Sequence, residues 1–179
     1  IIAGVSCDVQ FGGALPGEAN LIAYGAASGV VVDRCRNPAH RNRFFGNSGA
    51  ALDNVNGGGA NASTPNDVGD PDTGGNQLQN FPDIEFPFNL LPSGANSEQL
   101  DYRVDSLPAN SNYPITIEFY RGTCGGGSGG VLLGSDIYEE EQAGKLKRLL
   151  LSAADGGNVL PLVAVAVDAL GNVSEFSPM

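Results

Sequence analysis

A five-residue phrase recurs three times near the start of the chain and limits the folds open to it. Each copy begins with glycine, has a valine, leucine or cysteine at its fourth position and ends with aspartate; the copies are residues 4–8, 29–33 and 49–53. They begin 25 and 20 residues apart. A period in the twenties with one short strand per repeat is typical of a solenoid, in which each repeat buries its apolar side on its neighbours. The phrase therefore predicts stacked coils.

A second phrase recurs between the copies of the first. Residues 20–25 and 42–47 both start with Asn, carry an apolar residue two positions later and end at Gly or Asn. Two strands per coil, separated by corners of Gly, Asn or Asp, are what a parallel β-helix needs, because these residues adopt the left-handed backbone of tight corners. Stacked Asn side chains also form hydrogen-bonded ladders. Residues 1–56 are therefore predicted to be the terminal coils of a parallel β-helix.

The rest of the chain changes character twice. Residues 57–80 are rich in Gly, Asp and Asn and predict a connector or cap. Residues 81–179 show short runs with alternating apolar and polar residues, and about seven such strands in roughly a hundred residues are typical of an immunoglobulin-like β-sandwich. The apolar run 160–168 predicts a strand buried on both faces for part of its length, and residues 142–154 fit either a helix or a strand. The predicted fold class is all-β.

Two segments resemble parts of large bacterial surface or secreted proteins. Residues 42–81 are similar to the segment that closes the right-handed parallel β-helix of those proteins, above all at 64–82 (TPNDVGDPDTGGNQLQNFP). A β-sandwich module often follows there, with an end similar to residues 166–177 (AVDALGNVSEFS). The resemblance implies an extracellular or cell-surface location. It leaves the function open, because such β-helix proteins include adhesins, stalks and enzymes acting on polysaccharides.

Charge and hydropathy exclude two classes of partner. The net charge of −11 is the opposite of the basic footprint that nucleic-acid binding requires. No apolar stretch approaches the roughly eighteen residues of a membrane span. The sequence opens on Ile without a signal peptide, so we expect a processed or cut N-terminus with further sequence upstream.

The connector holds the strongest candidate site. Asp67, Asp70, Asp72 and Asn76 place several oxygen ligands within ten residues, beside glycines that let the loop curl. Calcium binds six to eight such oxygens, so this segment predicts a Ca²⁺ site. The alternative interpretation is that Asp and Asn merely close turns through local hydrogen bonds.

The last residue of each five-residue phrase gives a second candidate. Asp8, Asp33 and Asp53 would form a column if the phrases stack, with neighbours about 4.8 Å apart. Such a column suits a cation or acid–base chemistry on a sugar chain. The structural alternative is that each Asp starts an Asx turn at the end of its strand.

Basic residues are concentrated between the second and third phrases. Arg34, Arg36, Arg41 and Arg43 are four of the nine Lys and Arg residues of the chain. They predict a patch for an acidic polysaccharide or for carboxylates of a partner. The alternative is that they pair with the Asp column and are otherwise solvated, which contributes little to stability.

The cysteines form an odd set of three: Cys7, Cys35 and Cys124. At least one is therefore unpaired within the chain. Cys7 takes the position of Val32 and Leu52 in the other phrases, so we expect it to point inward, with a Cys7–Cys35 bridge between coils as the alternative. Cys124 lies in a Gly-rich loop and is expected to be an exposed thiol.

The sequence favours a non-enzymatic scaffold that provides adhesion, a stalk or filament assembly. Surface glycans, protein partners or other copies of the coil ends are the expected partners. The rival hypothesis is a polysaccharide lyase or hydrolase that uses the Asp column and the Arg patch. A third hypothesis makes the sandwich a carbohydrate-binding module with stacking faces from Tyr113, Tyr120 and Tyr138.

Overall fold

The computed structural model describes residues 2–3, 7–15, 17–56, 63–85, 97–122 and 129–179. Within these ranges the protein is built from strands and two short 3₁₀ turns and contains no α-helix, so the all-β prediction is confirmed. The strands are β1 (Ile2–Ala3), β2 (Phe11–Gly12), β3 (Leu21–Ala23), β4 (Val30–Asp33), β5 (Ala39–His40), β6 (Arg43–Phe45), β7 (Leu52–Val55), β8 (Asp83–Glu85), β9 (Ser97–Arg103), β10 (Ile115–Gly122), β11 (Gly129–Tyr138), β12 (Lys147–Ser152) and β13 (Leu162–Val167). The 3₁₀ turns are Gly75–Leu78 and Glu140–Gln142.

The first seven strands form three stacks of parallel strands. β1, β4 and β7 make one stack, β2 and β5 a second, and β3 and β6 a third. The second repeated phrase sets the third stack: Leu21 lies opposite Arg43 and Ile22 opposite Phe44, which confirms the alignment predicted from the sequence. Asn20 donates both its backbone and its side-chain N–H to Asn42 Oδ1, at 3.0 and 3.1 Å, so the predicted ladder of asparagines is present.

The alignment predicted from the first phrase is wrong. Val30 pairs with Leu52, which places Asp33 beside Val55 and Asp53 beside Val31, two positions away from the expected column. A shift of two keeps the same side chains facing inward, so Val30 and Leu52 are still buried. The lengths of the corners between strands set the register, and the shared Gly and Asp do not. Asp8, Asp33 and Asp53 therefore do not form a column.

The C-terminal half contains two antiparallel sheets, ordered β11-β10-β13 and β12-β9-β8. Leu100 and Tyr102 of one sheet share a buried cluster with Ile117 and Phe119 of the other. Tyr102 also donates a hydrogen bond of 2.7 Å to Asp136 Oδ2 across the gap between the sheets. The helix interpretation of residues 142–154 is wrong, since the stretch contains no α-helix and β12, at its centre, pairs with β9.

β13 joins the two halves because both of its faces are buried, as its apolar run predicted. Ala164 and Ala166 belong to the core between the antiparallel sheets. Val163 and Val165 face the opposite way and pack in a second cluster with apolar residues of the parallel strands β1–β7 and their connections (residues 2–56, below called the coils), including Phe44. The parallel stacks therefore rest on the outer face of the β11-β10-β13 sheet.

Candidate metal centre

The connector brings three of the predicted ligands together. One carboxylate oxygen from each of Asp67, Asp70 and Asp72 lies within 4.8 Å of the other two. Gly69 (φ 76°) and Asp70 (φ 62°) both have left-handed backbone, which curls the loop so that its carboxylates converge. This geometry suits a divalent cation bound by oxygen ligands.

Asp70 anchors the cluster. It is only 3% exposed, and its Oδ2 accepts hydrogen bonds from Ser106 Oγ (2.5 Å), Ser111 Oγ (2.8 Å) and Gln79 Nε2 (2.7 Å). The two serines belong to the segment between β9 and β10. The carboxylate therefore ties the connector to the antiparallel sheets.

Asp67 and Asp72 have spare acceptor capacity. The Oδ1 atoms of both side chains are buried from solvent and accept no hydrogen bond within the described part of the chain. Burial raises the pKa of Asp70, and burial followed by the charges of Asp67 and Asp70 raises the pKa of Asp72. Three carboxylates that repel one another, two of them with an unsatisfied oxygen, are arranged as a cation would require.

The side chain of Asn76, the fourth predicted ligand, makes two hydrogen bonds to residues of the N-terminal strands and loops. Its Oδ1 accepts a hydrogen bond of 2.7 Å from the backbone N–H of Asn37. Its Nδ2 donates to Asn54 Oδ1 at 3.1 Å. Asn76 is fully buried and fastens the connector to the coils, and the carboxylate cluster contains the three predicted aspartates.

Three of the four predicted basic residues have acidic partners. Arg34 lies 3.6 Å from Asp33. Arg36 pairs with Asp8 and donates to the carbonyl of Leu170, beside a cavity of about 550 Å³. The guanidinium groups of Arg34 and Arg36 are therefore both engaged with groups of the chain itself.

Arg41 and Arg43 line a different cavity, of about 320 Å³. Arg41 donates to the buried Glu118 at 3.2 Å and to the carbonyl of Ala14 at 2.8 Å. Arg43 forms no ion pair with any residue that the structure describes. The four arginines are thus divided between two cavities and an exposed corner.

The structure shows the pairing of two of the three cysteines. Cys7 and Cys35 are joined by a disulfide, with Cα atoms 5.1 Å apart. Cys7 is exposed, so the expectation that it points inward is wrong and the alternative of a bridge between coils is confirmed. Cys124 lies outside the described residues.

The tyrosines proposed as sugar-stacking faces are mostly core residues. Tyr120 and Tyr138 are 2% and 0% exposed. Tyr113 is half-buried and donates to the carbonyl of Ser106 at 2.6 Å. None of the three therefore presents an open ring face for a sugar.

Sequence reasoning missed two groups. Glu175 is buried beside the coils, and its carboxylate accepts hydrogen bonds from the backbone N–H groups of Asn54 (2.9 Å) and Thr64 (3.0 Å). Tyr24 and Phe45 form an exposed aromatic pair with ring centroids 5.4 Å apart. A signal for Tyr24 was available, since it occupies the corner position held by Gly46 in the second phrase.

Comparison with protein-family models found no match, and comparison with curated protein sequences found none either. Within the described ranges, no helix has the length and apolar character needed to cross a membrane.

Proposed function

We propose that this chain is the closing end of a right-handed parallel β-helix, covered by an immunoglobulin-like β-sandwich, in a secreted or cell-surface protein. Its role is that of a non-enzymatic scaffold for adhesion, a stalk or filament assembly. The observation that carries the proposal is the apolar core shared by the coils and the β11-β10-β13 sheet. An apolar core shared by two parts favours their folding and moving as one body, which suits a structural element.

The polar contacts at the same junction support a rigid connection. Asn54 makes three hydrogen bonds there. Its Oδ1 accepts from Asn76 Nδ2, its backbone N–H donates to the Glu175 carboxylate, and its Nδ2 donates to the carbonyl of Val173. Buried hydrogen bonds with fixed geometry restrict the relative orientation of the parts they join, because breaking them leaves unsatisfied groups. In this proposal the sandwich, which packs on the coils through β13, also protects strand edges of the coil stack from aggregation.

A structural Ca²⁺ at Asp67, Asp70 and Asp72 belongs to this proposal. The ion would be held by carboxylates of the connector. The hydrogen bonds that Ser106 and Ser111 donate to Asp70 would connect the bound ion to the segment between β9 and β10. Calcium sites of extracellular modules have dissociation constants of about 10⁻⁴–10⁻³ M, which suits the millimolar calcium outside cells. The Cys7–Cys35 disulfide supports the same location, since disulfides persist in oxidising compartments.

The enzymatic alternative has less support. It needs the carboxylates of Asp8, Asp33 and Asp53 in one groove, whereas Asp53 is fully buried and accepts a hydrogen bond from Ser28 Oγ at 2.8 Å. Asp8 is paired with Arg36.

Calorimetry together with hydrogen exchange tests the scaffold proposal. Because the coils and the sheets share a core, we expect a single heat-absorption peak and a common exchange-opening free energy for the amides of Phe44 and Val165. Two separate peaks, with the coils opening independently of β13, would contradict a rigid scaffold.

A further inference from the structure

The outer side of the β3–β6 stack is unusually apolar for a solvent-facing surface. Leu21 is 68% exposed, Tyr24 78% and Phe45 45%. Arg43, also exposed, lies opposite Leu21 in the parallel pairing. We call these four residues the lateral face. Exposed apolar side chains grouped in this way, next to a cationic one, mark an interaction surface more often than scattered single residues do.

Tyr24, in the aromatic part of the lateral face, has a strained backbone conformation. Tyr24 has φ 57°, in the left-handed region that bulky residues rarely adopt. Gly46, its counterpart one coil later, has φ 61°. A Cβ atom on Gly46 would lie 3.2 Å from the Tyr24 ring, so the missing side chain lets that ring lie over the corner. Strained residues of this kind cluster at binding and catalytic sites.

The charged part of the lateral face is available for a ligand. Arg43 is without an ion-pair partner among the described residues, whereas Arg34, Arg36 and Arg41 each have one. The cavity of about 320 Å³ that Arg43 lines continues the face toward Leu15, which is 67% exposed. The edge-to-face aromatic pair, a guanidinium with no ion-pair partner among the described residues and the cavity lined by Arg43 therefore lie next to one another.

We propose that the lateral face binds a glycan that carries an anionic substituent. The C–H face of a sugar ring packs on the exposed Tyr24 ring, which meets the Phe45 ring edge to face at 86°. The Arg43 guanidinium donates paired hydrogen bonds to a carboxylate or sulfate. The choice of an anionic ligand rests on local charge, because the exposed Arg43 guanidinium lies on this face, opposite Leu21 in the strand pairing. The inference rests on the proposed adhesive role and gives that role a ligand class.

Binding is measured by titration calorimetry with three oligosaccharides of equal length. The probes are a β-1,4-linked glucuronic acid hexamer, the corresponding glucose hexamer and a sulfated glucose hexamer. We expect one or both anionic hexamers to bind at least tenfold more tightly than neutral glucose, and the stronger of the two identifies the anion. Arg43→Gln should weaken that binding at least tenfold, whereas Arg34→Gln, an exposed arginine at another corner, should change it less than twofold.

Tyr24→Gly separates binding from folding. It installs the residue that the next coil carries at the same corner, so we expect an unchanged melting temperature and a loss of binding of at least tenfold. Failure of both anionic hexamers to bind, or binding that survives Arg43→Gln and Tyr24→Gly, would overturn the inference. So would a wild-type dimer in sedimentation that Tyr24→Gly converts to monomer without any glycan binding. The calorimetric unfolding test does not depend on these titrations, so the scaffold proposal and the glycan proposal fail separately.

Discussion

The backbone N–H of Asn54, in the last coil, donates a hydrogen bond of 2.9 Å to Glu175 Oε1, 121 residues further along the chain. The Glu175 side chain is only 3% exposed and lies at the junction between the coils and the antiparallel sheets. Burial, offset in part by the N–H groups of Asn54 and Thr64 and reinforced by the charge of Asp53, raises the pKa of Glu175 to about 7. The Glu175 carboxyl group thus links the two halves of the protein, and its charge changes near neutral pH.

Glu175 makes the junction less stable as the pH rises. The folded protein holds the proton of Glu175 more tightly than the unfolded chain, whose pKa is near 4.5. The stabilisation from this group is therefore fully present below pH 4.5 and is lost as the pH rises through 7. We expect the free energy of unfolding to fall by up to about 3 kcal/mol across that range. Glu175→Gln should remove this dependence.

Urea denaturation at pH 4.5, 6 and 8 measures the effect as the difference between wild type and Glu175→Gln. The exposed Glu140 offers a matched control, because Glu140→Gln makes the same chemical change outside the junction. A constant difference between wild type and Glu175→Gln over the three pH values would contradict the raised pKa.

Adjacent phenylalanines in β6 provide a test of the shared core. Phe44 is 1% exposed and stacks edge-on against Phe176, with ring centroids 5.7 Å apart. Phe45 points outward. We expect Phe44→Ala to destabilise the protein by about 3–5 kcal/mol and Phe45→Ala by less than about 1 kcal/mol. Because the Phe44 ring faces β13 as well as the coils, hydrogen exchange should accelerate in both halves; acceleration confined to the coils would contradict a common core.

Local patterns predicted the strands and one of the two registers. The phrases at 20–25 and 42–47 have the same spacing of Asn, apolar residue and turn former, and the strands they contain pair in that alignment. The phrases at 29–33 and 49–53 share the same pattern but pair two positions apart. The difference arises because pairing responds to the full length of a coil, including its corners, whereas a short phrase reports only its own strand.

Contacts between distant residues could not be predicted from the chain. Asp67, Asp70 and Asp72 converge because they lie within six residues of one another and a left-handed Gly69 bends the loop between them. Asn76 is equally close in sequence, yet its partner Asn37 lies 39 residues away and draws it into the coils. Glu175 gives no local sign of its role, since the environment that raises its pKa exists only after folding.

The disulfide between the first two coils should be detectable chemically. Cys7 and Cys35 are separated by 28 residues, so the bridge should contribute about 3 kcal/mol by restricting the unfolded chain. We expect one alkylated thiol per denatured chain before reduction and three after it. Cys7→Ser with Cys35→Ser should lower the melting temperature, whereas Cys124→Ser should leave the bridge intact. Three reactive thiols in the unreduced protein would contradict the bridge.

The acidic cluster makes a prediction about calcium that can be separated from general charge effects. If a Ca²⁺ ion with a dissociation constant of about 10⁻⁴ M is bound, 10 mM CaCl₂ adds about 2.7 kcal/mol and raises the melting temperature by about 5–10 °C over chelator. Magnesium should give a smaller shift, since it requires a tighter octahedral site.

Asp67→Asn combined with Asp72→Asn distinguishes a bound ion from mere screening of charge. The double variant keeps Asp70 and its bonds to Ser106 and Ser111, so the loop stays anchored. Removing two carboxylates that repel Asp70 should leave the melting temperature in chelator unchanged or slightly higher, while the calcium shift disappears. Glu140→Gln with Glu141→Gln removes the same charge from an exposed turn and should retain the calcium shift. An equal calcium shift in all three proteins would mean that the ion acts through general screening and that the Asp-rich segment forms ordinary turns.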